Sequence, residues 1–116
     1  MNFKQMDVWK HSRYLCNEIF LILKEVKSND FDHLKKHMFR TSISVISNIA
    51  EGLGRETDKE KIRFLIIARG SLYELESQVI ILKDLNIQFG KLSSGVFKRI
   101  QETEKLINGT IRFLKK

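Results

Sequence analysis

The property that most constrains the fold of this chain is a helical apolar period that no proline interrupts. The sequence contains no proline, the residue that most strongly breaks a helix interior. Apolar residues recur at spacings of three and four, which indicates amphipathic helices, in segments at about 7–26, 31–51, 57–85 and from 93 or 94 onward. Short polar stretches separate the segments. The pattern predicts an all-α fold, an antiparallel up-down four-helix bundle formed as one domain by residues 1–116.

Local signals predict how some of these helices begin and end. Thr57 and Glu60 are spaced as a capping box, in which each side chain accepts a hydrogen bond from the other residue's backbone N–H. Gly52 and Gly54 are expected to end the second helix, because glycine readily adopts the positive φ angles found past helix ends. Residues 86–92 are predicted to form a turn with buried apolar anchors, followed by a cap at Ser93 or Ser94.

Composition narrows the class of protein. With 42% hydrophobic and 30% charged residues, the chain has enough apolar material for a core and is not expected to be disordered. Its single cysteine, Cys16, cannot form an intrachain disulfide and lies on an apolar helix face, so we expect a core residue. No signal peptide or membrane-spanning run is evident. These features predict a soluble protein of the cytoplasm.

The charge is strongly basic and is concentrated in the last segment. The net charge is +7, and residues 91–116 hold seven basic groups against two acidic ones. A basic surface attracts nucleic acid, although basic residues late in a helix also complement its dipole and aid solubility. The predicted nucleic-acid contacts are Lys98, Arg99, Lys105, Arg112, Lys115 and Lys116, with Lys35, Lys36 and Arg40 as a second set.

The third segment is too apolar for a helix with one buried face. Residues 64–68 are five consecutive apolar residues, and residues 79–82 repeat the pattern. A helix in an isolated bundle needs only one apolar stripe, so some of these side chains would face water in a monomer. Burial against a second subunit is the favoured explanation, the alternative being a central helix packed on three sides within one chain. This pattern predicts an oligomer without giving its subunit number.

A polar group of residues is expected where the second and third helices meet. Helical spacing places Asn48 and Glu51 beside the apolar face, opposite Arg69, Ser71 and Glu74. Buried polar groups need mutual hydrogen bonds, so we expect Asn48 and Glu51 to pair with Arg69 and Ser71. Such a group is either a ligand site or a network that fixes helix register, and we favour the network.

Within the same third helix, Gly70 also points to close packing. Glycine costs about 1 kcal/mol relative to alanine in a helix interior, so its presence indicates close approach of a neighbouring helix. The approach is expected at the junction with the second helix.

Enzyme and metal motifs are poorly represented. His33 and His37 have the i, i+4 spacing of metal ligands but lack completing carboxylate or cysteine ligands, so an exposed face is expected. The Gly52–Gly54 stretch follows a helix rather than a strand, unlike a dinucleotide-binding loop. We therefore predict no catalytic residues, no metal site and no cofactor.

Several motifs resemble those of a known bacterial family. They comprise Val8-Trp9-Lys10, Ser42-Ile43, Ser47-Asn48-Ile49-Ala50-Glu51-Gly52 with Arg55, Phe64-Leu65, and Ala68 to Glu76 in the order ARGSLYELE. The chain resembles the bacterial four-helix-bundle proteins first noticed as open reading frames within intervening sequences of large-subunit ribosomal RNA genes. It is also similar to the accessory variability protein of diversity-generating retroelements, which binds nucleic acid and a reverse transcriptase.

The resemblance implies a ring-shaped homopentamer of up-down bundles with no established catalytic activity. It implies structural or interface roles for Asn48, Glu51, Arg69 and Glu74. The family's usual proline between the first two helices is absent, and Thr41 replaces an alanine that commonly follows the motif arginine. Neither departure is expected to change the fold.

Together these observations predict a non-enzymatic homo-oligomeric scaffold that binds structured RNA or DNA through its charge and shape. The alternative is a protein-interaction ring that recruits a partner such as a reverse transcriptase. An adjacent reverse-transcriptase gene would favour the partner, and a position inside a ribosomal RNA gene would favour nucleic acid. No membrane association is expected.

Overall fold

The computed structural model describes residues 2–116 and confirms an all-α chain. Its helices are α1 Asp7–Leu23, α2 Asp32–Leu53, α3 Asp58–Leu85, the short α4 Ile87–Leu92, and α5 Ser94–Leu114. Two brief 3-10 turns, Phe3–Gln5 and Asn29–Phe31, precede α1 and α2. Residues 2–116 contain no strand.

The four long helices form a helical bundle around one hydrophobic core. In this bundle α1 packs on α2 and α5, and α3 packs on the same two helices, whereas the backbones of α2 and α5 are not adjacent. The molecule measures 46 × 21 × 21 Å. Each long helix buries residues three, four or seven positions apart, as amphipathic helices do, including Leu15, Ile19, Val45, Ile49, Leu65, Leu72, Ile100 and Ile107. In the described part of the chain, no helix combines the length and apolar character needed to cross a membrane.

The predicted cap at the start of α3 forms in one direction only. The backbone N–H of Glu60 donates to the Thr57 hydroxyl at 3.2 Å, which satisfies one of the free N–H groups of the first turn. The Glu60 carboxylate accepts instead from Arg63 Nε at 3.0 Å. The Arg63 guanidinium also holds the pKa of Glu60 below its ordinary value. The predicted hydrogen bond from the Thr57 backbone N–H to the Glu60 side chain is therefore wrong.

Two predicted helix boundaries differ from the structure. Helix α1 ends at Leu23 rather than near Val26, although Val26 is still buried. Helix α2 continues to Leu53, and no glycine among the described residues has a positive φ; Gly54 follows the helix at φ −86°. The helix therefore ends without the left-handed residue that the sequence indicated.

The stretch predicted as a turn is a short helix. The side-chain oxygen of Asn86 accepts from the backbone N–H of Phe89 at 2.8 Å, which caps the first turn of α4. The ring of Phe89 is fully buried, so the expected apolar anchor is present within helical backbone. The Ser93 hydroxyl donates to the Gly90 carbonyl at 3.0 Å and does not cap α5.

The close approach of helices occurs at Gly52 rather than at Gly70. A Cβ built at Gly52 would lie 2.5 Å from the Cβ of Phe64 and 3.3 Å from the carbonyl oxygen of Lys61. A Cβ at Gly70 would meet nothing within 4 Å, because this residue faces outward from α3. The interpretation of Gly70 as a packing glycine within one subunit is therefore wrong.

These two glycines provide a matched pair of substitutions. We expect Gly52→Ala to lower the free energy of unfolding by about 1–3 kcal/mol, because the added methyl overpacks the contact with Phe64. We expect Gly70→Ala to raise it by about 0.5–1 kcal/mol, because the unfolded chain loses freedom and nothing clashes. Urea unfolding at one protein concentration measures both. A destabilising Gly70→Ala would show that this outward surface is packed against another molecule.

Candidate nucleic-acid interface and its surroundings

The outward face of α5 carries a line of basic side chains. Lys98, Lys105 and Arg112 are seven residues apart, so they lie on one side of the helix, opposite the buried residues Ile100 and Ile107. Lys115 and Lys116 continue the basic surface at the helix end, and all five cations are exposed. At 1.5 Å per residue the line from Lys98 to Lys116 is about 27 Å long. We call these five residues the α5 basic stripe.

The charges of the α5 basic stripe are not neutralised within the subunit. Among residues 2–116, none of the five has an Asp or Glu oxygen within 4.0 Å. The two acidic residues of α5 turn sideways: Glu104 accepts from the hydroxyl of Tyr73 at 2.7 Å, and Glu102 lies 3.6 Å from His11. The hydrogen bond to Glu104 raises the pKa of Tyr73. The stripe therefore keeps its charge available for an external anion.

Arg99 differs from the other cations predicted to contact nucleic acid. Its Nε and Nη2 each lie 2.8 Å from Glu18 Oε1, and its Nη1 lies 3.5 Å from Glu102. The guanidinium also stacks over the ring of Tyr14 at 5.5 Å, and the side chain is 26% exposed. Arg99 therefore joins α5 to α1 and is not part of the α5 basic stripe, so its predicted contact with nucleic acid competes with its pairing to Glu18.

The second predicted set of cations lies on another side of the bundle. Lys36 and Arg40 of α2 are exposed, but α2 is not adjacent to α5 in the bundle, so they form a separate basic surface. Lys35 is held internally, because its Nζ donates to the Val26 carbonyl at 2.8 Å and lies 3.3 Å from Asp32. Its predicted contact with nucleic acid likewise competes with its pairing to Asp32.

The polar residues between α2 and α3 form hydrogen bonds, but not with the predicted partners. The hydroxyls of Ser44 and Ser71 lie 2.9 Å apart, and Asn48 Nδ2 donates to the Ser44 carbonyl at 2.8 Å. Glu51 pairs with Arg55 of its own helix at 3.2 Å. A polar contact between the two helices is present, and it runs through serine hydroxyls.

Arg69 points away from this contact. Its Nη1 donates to Asn108 Oδ1 on α5 at 2.9 Å. Side chains two positions apart on a helix point in directions that differ by about 200° around its axis, so Arg69 and Ser71 must face different neighbours. The predicted pairing of Asn48 and Glu51 with Arg69 is therefore wrong.

The remaining titratable candidates have ordinary surroundings. Glu74 lies 3.5 Å from His37 across α2 and α3, and both are exposed, as is His33. Within residues 2–116, no cluster of three possible metal ligands forms. Cys16 is confirmed as a core residue: its Sγ donates to the Ser42 carbonyl at 3.1 Å, and burial raises the pKa of its thiol. A buried thiol with a raised pKa is a poor nucleophile at neutral pH.

The surplus apolar surface of α3 is present as predicted. Ile80 is 45% exposed and Ile81 is 50% exposed. Ile66, Tyr73 and Ile80 are seven residues apart, so they line one side of α3, all exposed. We call these three residues the α3 apolar stripe. One subunit leaves this stripe uncovered.

The sequence interpretation missed a groove between α1 and α2. Its volume is about 590 Å³. Its walls combine apolar and basic side chains, namely Phe20, Leu23, Lys24, Lys35, Lys36, Phe39, Arg40 and Ile43. Phe20 and Lys24 are one helical turn apart, but only the packing of α1 against α2 brings Phe39 beside them.

The different surroundings of two α5 cations can be measured. We expect Arg99→Gln to lower the free energy of unfolding by about 1–3 kcal/mol, because Glu18 loses its half-buried partner. We expect the matched surface change Lys105→Gln to alter it by less than about 0.5 kcal/mol. Urea unfolding at equal protein concentration distinguishes them, and equal stability of the two variants would contradict a structural role for Arg99.

One family model matches most of the chain. It covers residues 4–109 and is described as 23S rRNA-intervening sequence protein. No curated protein gives a significant match to the sequence. The match includes α1, α2, α3 and the motifs on which the resemblance rested, and it confirms the predicted family. The chain belongs to the 23S rRNA-intervening sequence protein family.

Proposed function

We propose that this protein is a non-enzymatic homo-oligomeric scaffold that binds structured RNA or DNA by charge and shape. The observation that carries the proposal is the α5 basic stripe, whose five cations have no acidic partner within the described part of the subunit. Cations already paired inside a protein add little to binding, whereas unpaired ones can replace the counterions of a phosphate backbone.

The geometry of the stripe suits a phosphate backbone. Cations seven residues apart on a straight helix are separated by about 10.5 Å, and a duplex carries one phosphate charge per about 1.7 Å of its axis. Each cation of the stripe can therefore reach a different phosphate. Contacts of this kind position a nucleic acid without reading its bases, so recognition depends on the charge and shape of the backbone.

The short connections favour an antiparallel up-down order within the bundle. Only residues 54–57 join α2 to α3, and four extended residues span at most about 14 Å. Helix α2, with 22 residues, is about 33 Å long. The connection is too short to return along the whole helix, and α3 packs on α2, which supports an α3 that begins near the end of α2 and runs in the opposite direction.

The α3 apolar stripe supports assembly of several subunits. Exposed apolar side chains that share one face of a helix gain free energy when a second surface covers them. In a closed ring, which we propose to be a homopentamer as the family resemblance implies, each subunit contributes one α5 basic stripe. Several weak phosphate contacts then act together, which raises the overall affinity for a long nucleic acid.

The binding proposal predicts a salt dependence that belongs to the stripe. We expect the affinity for a labelled ribosomal RNA fragment to fall as the salt concentration rises. We expect the triple variant with Lys98→Gln, Lys105→Gln and Arg112→Gln to reduce the slope of log K against log salt by about 2–3 for each bound subunit. The loss of phosphate contacts is the reason. Fluorescence anisotropy at several salt concentrations measures it.

A charge-matched control uses three exposed cations outside the stripe. The variant with Lys4→Gln, Lys27→Gln and Lys59→Gln loses the same net charge, and it is expected to keep most of the parent slope. Absence of binding at low salt, or an identical slope in both triple variants, would contradict binding through α5.

The assembly proposal predicts a mass several times that of the 13.7 kDa chain, with a pentamer expected. We expect Ile66→Glu with Ile80→Glu to lower the mass measured by light scattering at micromolar concentration, because charges in an apolar contact are costly to bury. The control Asn17→Glu lies on the exposed face of α1 and is expected to leave the mass unchanged. Circular dichroism verifies that the variants remain helical.

The exposed α3 apolar stripe also favours a second candidate function, recruitment of a different protein such as a reverse transcriptase. The same measurement separates the two. A parent protein that remains a stable 13.7 kDa particle would contradict self-assembly and favour a different protein as the cover of this stripe.

A further inference from the structure

The groove between α1 and α2 presents two aromatic rings to solvent. Phe20 is 47% exposed and Phe39 is 36% exposed. Their ring centroids are 5.7 Å apart with an interplanar angle of 59°. Leu23 and Ile43 complete the apolar wall. This is an apolar surface with two ring systems available to a flat ligand.

The rim of the groove is basic and carries no acidic residue. Lys24 Nζ lies 5.0 Å from the centroid of the Phe20 ring, and Lys36 and Arg40 are exposed. In the described part of the chain these three cations form no ion pair, whereas the fourth, Lys35, is paired with Asp32. None of the residues that line the groove is an Asp or Glu.

We propose that this groove binds unpaired nucleotides of single-stranded RNA or DNA, with bases packed on Phe20 and Phe39 and phosphates held by Lys24, Lys36 and Arg40. The proposal rests on the proposed function in that the ligand is a nucleic acid. It adds a second contact surface to the protein and specifies that this surface binds single-stranded nucleic acid.

Charge and dimensions together favour nucleotides as the occupant. Single-stranded nucleic acid binds where aromatic rings adjoin cations, because every base has a flat face and every linkage a negative charge. The lining of α2 extends from Lys35 to Ile43, which is about 12 Å of helix. A volume of about 590 Å³ lies in the range of sites for small ligands, and accommodates one or two nucleotides.

The groove and the α5 basic stripe are suited to different nucleic-acid structures. The groove is formed by side chains at the junction of α1 and α2, whereas the stripe lies on the outward face of α5. Phosphates on the outside of a duplex can reach the stripe, but paired bases cannot leave their stack to pack on Phe20 and Phe39. The groove therefore selects loops, ends or single strands, and the stripe does not.

The test compares a labelled single-stranded RNA of about 12 uridines, in which every nucleotide is unpaired, with a labelled blunt-ended RNA duplex of about 12 base pairs, in which none is. Phe20→Leu with Phe39→Leu removes both rings and keeps apolar side chains. We expect this double variant to bind the single strand about tenfold more weakly, with the affinity for the duplex changed by less than about twofold. The control Phe113→Leu changes an exposed phenylalanine of α5 and is expected to leave both affinities unchanged.

A second variant tests the rim. Lys24→Gln, Lys36→Gln and Arg40→Gln should weaken single-strand binding and reduce its salt slope, because phosphate contacts are lost. A single strand of abasic sites should bind the parent protein and the Phe20→Leu, Phe39→Leu variant equally. Unchanged circular dichroism and unchanged mass by light scattering are expected for both groove variants.

The outcomes separate failure of this inference from failure of the proposed function. If the α5 triple variant loses binding while the ring and rim variants bind the single strand like the parent, the groove inference is overturned and the function stands. If the parent binds neither RNA, both fall. The groove inference is also overturned if the ring substitutions lower the mass of the assembly. It is overturned as well if they weaken binding of a labelled acidic amphipathic peptide and leave binding of the single strand unchanged.

Discussion

The close packing of one apolar stripe from each long helix determines the arrangement of every other side chain. Once Leu15, Val45, Leu72 and Ile107 are buried together, each helix has a single permitted rotation about its axis. The contact between Gly52 and Phe64 holds α2 against α3 at the end of this core. The outward residues therefore take their positions from the core, because a rigid helix cannot turn one face without turning the others.

This rotation decides what each charged residue does. Arg99 and Arg69 lie at the sides of their helices, where a neighbouring helix supplies Glu18 and Asn108 as partners. Lys105 points straight outward and has no such partner within the described subunit. Residues of one chemical type on one stretch of chain are thus divided into those that hold the bundle together and those that are available to a ligand.

Several features could be predicted from the sequence because they depend on local periodicity. The all-α fold, the approximate helical segments, the Thr57 cap, the buried Cys16 and the exposed isoleucines of α3 all follow from which residues recur at helical spacing. The family was also predicted from its motifs and is confirmed. Periodicity shows which residues share one face of a helix, and these features depend on nothing more than that.

What only the tertiary structure decided is which face meets which neighbour. The hydrogen bond from Arg69 to Asn108, the internal use of Lys35 and Arg99, and the meeting of Phe20 with Phe39 each join residues from different parts of the chain. Helical spacing fixes angles within one helix but leaves its neighbours and its rotation relative to them undetermined. The sequence by itself therefore determined the helices and the charge that they carry, and packing between the helices decided where that charge is free.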